Sequence, residues 1–259
     1  MKMSQSFSKN EIQVIFNLHF PPNEETKMFV EENPGCYFPM DCGSVLNDDW
    51  SLSHLTKDNT GDNISEMNPL VNEFTSIYWF WKNFPLPDYV GFNHYRRYFK
   101  PEDFSDFKDW DIIVAKPIFS DAKLSLFNHY KHYHFAGDMV KFMDILQEEN
   151  FGLALSFGKY ITEQTKNLAP CNLFVMKREL FLEWCETAFP ILFKTVEKIC
   201  RGEEFERRYP YQKRCACFLM ERFFNFWYYS KMSSGTKCKE IGFVERLDLK
   251  TPEQRYKFG

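Results

Sequence analysis

Residues 88–100 read DYVGFNHYRRYFK. A short apolar run leads straight into a histidine, two arginines and further aromatic rings. Bounded by Pro87 and by charge, the run reads as a buried strand. Its carboxyl end then carries His94, Tyr95, Arg96 and Arg97. Other short apolar runs read the same way: IQVIFNL at 12–18, closed by His19 and the Pro21-Pro22 pair, DIIVAKP at 111–117, and CNLFVMK from Cys171.

Between these runs the apolar residues take helical spacing. Leu70, Phe74, Ile77, Tyr78 and Trp81 share one face after Pro69 and stop before Pro85 and Pro87. Helical spacing returns around 121–149. Residues 178–200 and 210–230 read as two aromatic-rich helices around the linker RGEEFERRYP. Strands alternating with helices predict an α/β fold with a Rossmann-like, mostly parallel sheet flanked by helices. Ligands of such sheets collect at the carboxyl ends of the strands.

The 259 residues suffice for one large domain, and an aromatic content of 19% with 29 Phe indicates a folded core. The net charge of -4 lacks the broad basic face of a nucleic-acid binder, so no nucleic-acid partner is expected and any phosphate site must be local. Eight cysteines without C-x-x-C pairing, behind no signal-like start, are expected to be free thiols of a cytoplasmic protein. No apolar run reaches the ~18 residues of a membrane span. The densest stretch, FFNFWYY at 223–229, is where peripheral contact with the inner face of a membrane would fall.

Arginine offers a fixed fork of donors matched to phosphate oxygens, and His94 adds a donor whose charge can respond to an anion. Structural ion pairs are the competing reading of Arg96 and Arg97. Strand alternation sends the two to opposite sides unless the strand has ended. The long polar loop of 44–68 contains DNTGDNIS, in which a glycine between acidic and amide clusters suits a turn. Such a turn either presents Asp58, Asn59, Asp62 and Asn63 to sugar hydroxyls or is a solvated turn with Asx hydrogen bonds. In NHYKHYH, His129 and His132 share a helical face and His134 turns away, so a three-histidine metal site is not expected. Asp138 is a carboxylate beside that aromatic patch. Glycine-rich phosphate loops, a G-x-S-x-G elbow and an H-E-x-x-H helix are absent, and the DWD of 109–111 precedes its strand instead of closing it. The charge of a bound diphosphate would be met by side chains.

Taken in order, DNTGDNIS, NEFTSIYWFWKN, DYVGFNHYRRYF, NLFVMKRELF and FLMERFFNFW resemble the bacterial family known as domain of unknown function 4422, over about residues 13–228. That family lies in capsule, exopolysaccharide and O-antigen clusters and is glycosyltransferase-like, with galactofuranosyltransferase members. The resemblance implies a single GT-A-like domain over 1–259, with a nucleotide-sugar half at 1–120 and an acceptor half with the C-terminal helices at 121–259. It implies transfer from a UDP-sugar, such as UDP-galactofuranose, to a surface polysaccharide or lipid-linked glycan. A catalytically inactive nucleotide-sugar or glycan-binding module that supports another transferase is the alternative.

On this reading His94 and Arg96 neutralise the leaving diphosphate and no cofactor is required, with Mn2+ or Mg2+ as the alternative. Arg97, Tyr95, His19, Glu73, Asp58, Asn59, Asp62 and Asn63 are the donor-binding candidates, and Asn172 and His134 lie on the acceptor side. Asp138 is the expected catalytic base, with Glu163 and Glu221 as rivals. The chain departs from the family's usual residues at Met67, Val71, Asn93 and Cys217, positions that flank the loop and helix expected to contact the donor sugar.

Overall fold

The computed structural model describes residues 8–19, 21–47, 50, 52, 54–117, 125–163 and 168–245. In chain order the elements begin with β1 (Ile12–Leu18), α1 (Glu24–Glu31), β2 (Tyr37–Asp41), β3 (Thr56–Lys57), α2 (Asn68–Val71) and α3 (Phe74–Asn83). Then come β4 (Tyr89–His94), β5 (Arg97–Tyr98), β6 (Ile112–Ala115), α4 (Leu126–Tyr133), α5 (Ala136–Glu149), α6 (Phe151–Glu163) and β7 (Phe174–Lys177). The second half ends with α7 (Arg178–Ile199), α8 (Glu203–Glu206), α9 (Pro210–Lys213), α10 (Cys215–Ser233), β8 (Cys238–Ile241) and β9 (Val244–Glu245).

β1 and β4 lie at the centre, and every residue of both is buried. Strands covered on both faces read as continuous apolar runs, which is why the sequence marks these two so clearly. They pair in parallel, with Ile15 opposite Phe92, and β2 flanks β1 on the other side with Phe38 opposite Ile15. The full order is β3-β2-β1-β4-β7-β6-β8, with β5 and β9 continuing from the end of β4. The expected parallel character holds for β3-β2-β1-β4 and for β6-β8, whereas β7 runs antiparallel to both its neighbours. Phe92 near the end of β4 faces Phe174 at the start of β7, so the turn that enters β7 lies at the same edge of the sheet as His94.

Short or half-buried strands escape the sequence reading. β2 carries Pro39 and β8 reads CKEI, so neither is an apolar run. The helix expected from Pro69 is broken: α2 stops at Val71, Asn72 takes φ 48°, and α3 starts behind Glu73. Likewise 210–230 is two helices that meet at Arg214. In the helical stretch expected from 121, residues 121–124 lie outside the described residues. Beyond them α4 and α5 are separated by an extended His134.

The aromatic run of α10 is core: Phe223, Phe224 and Tyr228 are at most 1% exposed. That burial removes it as a face for membrane contact. No helix among the described residues is long and apolar enough to cross a membrane. All eight cysteines are free thiols.

Gly91 sits at the middle of β4, where a Cβ would fall 2.7 Å from Val14 Cγ2 and 3.1 Å from Val175 Cγ2. The valines of the two adjoining strands occupy the space a side chain would need. Overpacking a closed core costs about 1–3 kcal/mol. Gly91→Val is therefore expected to lower the urea midpoint by a corresponding amount, and an unchanged midpoint would mean that β1, β4 and β7 do not pack in this register.

Candidate functional site

From β1 the chain goes to β2 and β3 on one side and returns to β4 on the other. The crevice beyond the carboxyl ends of β1 and β4 is where such sheets place ligands. A cleft of about 590 Å³ opens there. It is lined by His19 beyond β1, by Glu73, by His94 to Arg97, and by Cys171, Tyr211, Arg214, Phe218, Glu221 and Arg222 of the second half.

β4 ends at His94, which pairs with Arg97 across a tight reversal. Asn93 holds that reversal: its Nδ2 donates to the Phe99 carbonyl at 3.1 Å and the Phe99 N–H donates to its Oδ1 at 3.0 Å. Because the strand has ended, Arg96 and Arg97 line the same cleft. Arg97 is committed to structure through Glu245 Oε1 at 2.6 Å and Cys171 Sγ at 3.1 Å. Arg96 is different. Its Nε is buried without a hydrogen-bond partner, and its guanidinium lies 5.2 Å from the Tyr95 ring centroid. Neither Arg96 nor Arg214 pairs with a carboxylate among the described residues.

The imidazoles beside these arginines are neutral. Burial, reinforced by Arg96, pushes His94 well below the usual histidine range. Burial and Arg214 bring His19 down to about 4. His94 Nδ1 accepts the Arg96 backbone N–H at 3.3 Å, so the ring proton sits on Nε2. In this structure His94 is thus a neutral hydrogen-bond donor through Nε2.

Two carboxylates enter the cleft. Glu73 Oε1 accepts from Asn172 Nδ2 at 2.9 Å and Oε2 from Cys217 Sγ at 3.5 Å. Burial, opposed by these hydrogen bonds and reinforced by Glu221, raises its pKa to about 7. Glu221 Oε1 accepts the Cys171 backbone N–H at 2.7 Å, and its Oε2 lies 3.4 Å from Arg222 Nη1. Cys171 and Asn172 hold φ of 58° and 51°, two successive non-glycine residues in the left-handed region. One strained turn therefore contacts both carboxylates. Asn225 secures it by bonding both sides of Ala169, at 2.6 and 3.1 Å.

Of the sequence-predicted residues, His19, Glu73, His94, Tyr95, Arg96, Arg97, His134 and the rival base Glu221 meet in this cleft. Others do not. Asp138 is 1% exposed, and Arg208 grips both of its oxygens at 2.7 and 2.9 Å. It is a structural partner of the 201–209 linker and is not free to act as a base at the cleft. Glu163, its rival, is exposed at the end of α6 and does not line the cleft either. Asp58 is fully buried and accepts from the Gly43 and Ser44 N–H groups and from the Ser44 and Ser65 hydroxyls, so it ties two loops together.

Asp62 bonds Tyr78 and Asn83, and Asn63 bonds Gly61 and Ser65, which fastens their turn onto α3. Asn59 is exposed beside them. Asn172 is 1% exposed and acts on Glu73. His134 reaches the cleft because α4 stops at Tyr133, a break the helical reading of NHYKHYH did not include. Cys217 alone among the four departures from the family lines the cleft. Arg214 and Tyr211 were missed; the Lys213-Arg214 pair directly before an aromatic helix was the signal available.

Among the described residues no group of three or more His, Cys, Asp or Glu side chains is arranged to hold a metal ion. The charged side chains at the end of β4 are arginines, a donor set that repels a divalent cation instead of ligating it.

The family described as "Domain of unknown function (DUF4422)" matches residues 25–232. The structure is similar to that titled "WbbM bifunctional glycosytransferase apo structure", with a TM-score of 0.74 and 22% identity over 92% of this chain. The chain spans 46% of that protein, about half its length. The two share an α/β fold with a central sheet flanked by helices, as expected from the sequence. No curated protein matches the chain.

Two outcomes follow from the geometry. Breaking a buried ion pair from one side costs about 3–5 kcal/mol. Asp138→Asn should therefore lower thermal stability sharply while the folded fraction keeps its ligand affinity. An undiminished Tm would contradict the burial of the Arg208 pair. Asn172→Gly keeps the left-handed backbone but removes the amide that stabilises ionised Glu73. Its carboxyl carbon, followed by NMR, should titrate above the wild-type value of about 7; an unmoved midpoint would show that the bond is not made.

Proposed function

The chain belongs to the DUF4422 family, and from the cleft its fold builds we propose that it is a glycosyltransferase using a nucleotide diphosphate sugar. The observation that carries this reading is the meeting of Arg96 and Arg214, which have no carboxylate partner among the described residues, with a buried carboxylate titrating near 7. An acidic chain that gathers in one crevice two guanidinium groups without carboxylate partners among its described residues is built for a local anion. The donor contacts fall mainly to residues of 1–120, and the second half supplies the acceptor side together with Arg214.

In the proposed reaction the acceptor hydroxyl attacks the anomeric carbon in line. Its proton passes to Glu73, whose pKa suits a base working near neutrality. The bond from the anomeric carbon to the diphosphate oxygen breaks and the electron pair leaves with the diphosphate. Arg96 and Arg214 meet that charge, and His94 donates its Nε2 proton to a phosphate oxygen as a neutral hydrogen-bond donor. Glu221, held against Arg222 and the Cys171 N–H, orients sugar hydroxyls. We assign no step to a metal. The acceptor is a polysaccharide or lipid-linked glycan, and UDP-galactofuranose is the first donor to assay.

A charge-assisted hydrogen bond is worth about 1.5–3 kcal/mol, or roughly 10- to 100-fold in affinity. Arg96→Ala and Arg214→Ala should each weaken binding of UDP by that factor in calorimetry, with Tm unchanged. Equal affinity in both variants would sink the diphosphate assignment. Transfer should persist in EDTA.

For Glu73 the base form must be ionised, so turnover should rise as pH passes through about 7 and level off above it. Glu73→Gln should remove at least ~100-fold of the turnover and leave UDP affinity intact. The raised pKa also has a stability sign. Between the ordinary glutamate range and about 7 the folded state binds the extra proton, so stability falls with rising pH across that window. Glu73→Gln should lack this slope. A wild-type pH-rate profile in the variant would return the base to Glu221.

A further inference from the structure

One wall of the cleft carries no net charge and is not used by the diphosphate chemistry. Phe218 is half-buried at the cleft and stacks on His134, with ring centroids 4.2 Å apart and planes at 24°. Tyr211 packs on the same phenyl ring at 5.0 Å. Burial, with Arg222, pushes His134 down to about 3, so at neutral pH its imidazole is an uncharged ring. A phenyl face offers nothing to a phosphate and excludes its water, so this wall would penalise an anion.

We propose that Tyr211, Phe218 and His134 form the acceptor wall of the cleft, seating the face of an uncharged sugar ring at the end of the acceptor glycan. This rests on the glycosyl-transfer reading above. The face of a sugar ring is made of C–H groups and its rim of hydroxyls. A matching site therefore needs a flat apolar surface bordered by a few placed polar groups. α10 supplies both. Phe218, Glu221 and Arg222 stand at positions i, i+3 and i+4 of one helical face. The ring is thus bordered by a carboxylate, Glu221, that accepts from hydroxyls, while Arg222, bonded to Glu221, His129 and the Phe218 carbonyl, holds that rim in place.

His129 adds to the rim. Its Nδ1 accepts from Arg222 Nη2 at 3.2 Å, and since arginine only donates, the neutral imidazole carries its proton on Nε2. An acceptor recognised in this way is selected by its terminal sugar and not by a lipid carrier. Acidic sugars are disfavoured because the apolar wall strips water from a carboxylate without pairing it, and Glu221 borders that wall. A nucleobase could also stack on such a wall, and that arrangement gives the opposite response to substitution.

The experiment is saturation-transfer NMR of the whole chain, saturated with UDP, against a panel of neutral and uronate-bearing oligosaccharides. The variants are Phe218→Ala, Phe218→Trp and Tyr211→Leu, each checked for an unchanged melting profile. Expected is binding of neutral members, weakened at least about tenfold by Phe218→Ala and by Tyr211→Leu, and retained by Phe218→Trp. UDP affinity, measured separately, should be unaltered in all three.

The proposal is overturned if no neutral oligosaccharide binds, if uronates bind better, or if Phe218→Ala leaves glycan binding unaltered. It is equally overturned if Phe218→Ala weakens UDP binding, since the wall then holds the base. Failure of UDP to bind the wild-type chain would instead remove the glycosyl-transfer reading, and this proposal with it.

Discussion

Buried peptide groups must be paired, and at this cleft two asparagine side chains pair them where the sheet cannot. Asn93 bonds both the N–H and the carbonyl of Phe99, and Asn225 does the same for Ala169. The first bracket closes the reversal that presents His94, Tyr95 and Arg96; the second holds the turn that reaches Glu73 and Glu221. Tyr37, at the start of β2, adds a 2.7 Å hydrogen bond to the same Phe99 carbonyl. Irregular backbone can therefore sit against a buried core on either side of the cleft with the peptide groups of Phe99 and Ala169 paired.

That scaffold separates two kinds of charge. Carboxylates that stabilise the fold are saturated: Asp58 by backbone and hydroxyl donors, Asp138 by a bidentate arginine. The cleft keeps Arg96 and Arg214 without carboxylate partners among the described residues, and its His19 and His94 are held neutral by burial and by the charge of those same arginines. The positive charge of Arg96 and Arg214 survives because no carboxylate among the described residues pairs with either. Two consecutive left-handed residues, Cys171 and Asn172, are tolerated next to it because hydrogen bonds to Glu221 and Glu73 hold them there.

The sequence by itself determined the buried central strands, the alternation of strands and helices, and the strand end that bears His94 and Arg96, because each is written in contiguous residues whose period or composition reports local burial. It also marked DNTGDNIS as a turn, which Gly61 at φ 59° makes, since a Cβ there would fall 2.1 Å from Asn83 Oδ1. Whether a polar residue faces ligand or protein was not legible. Asp58, Asp138 and Arg97 have the composition of site residues, and only partners 7 to 148 positions away show them to be structural. The same holds for Arg214, Glu221 and Phe218, which enter the cleft because α10 packs beside α2 and the turn before β7. Tertiary structure decided the site, since a cleft is closed by long-range contacts that no local period encodes, and a titratable group's charge depends on which of them bury it.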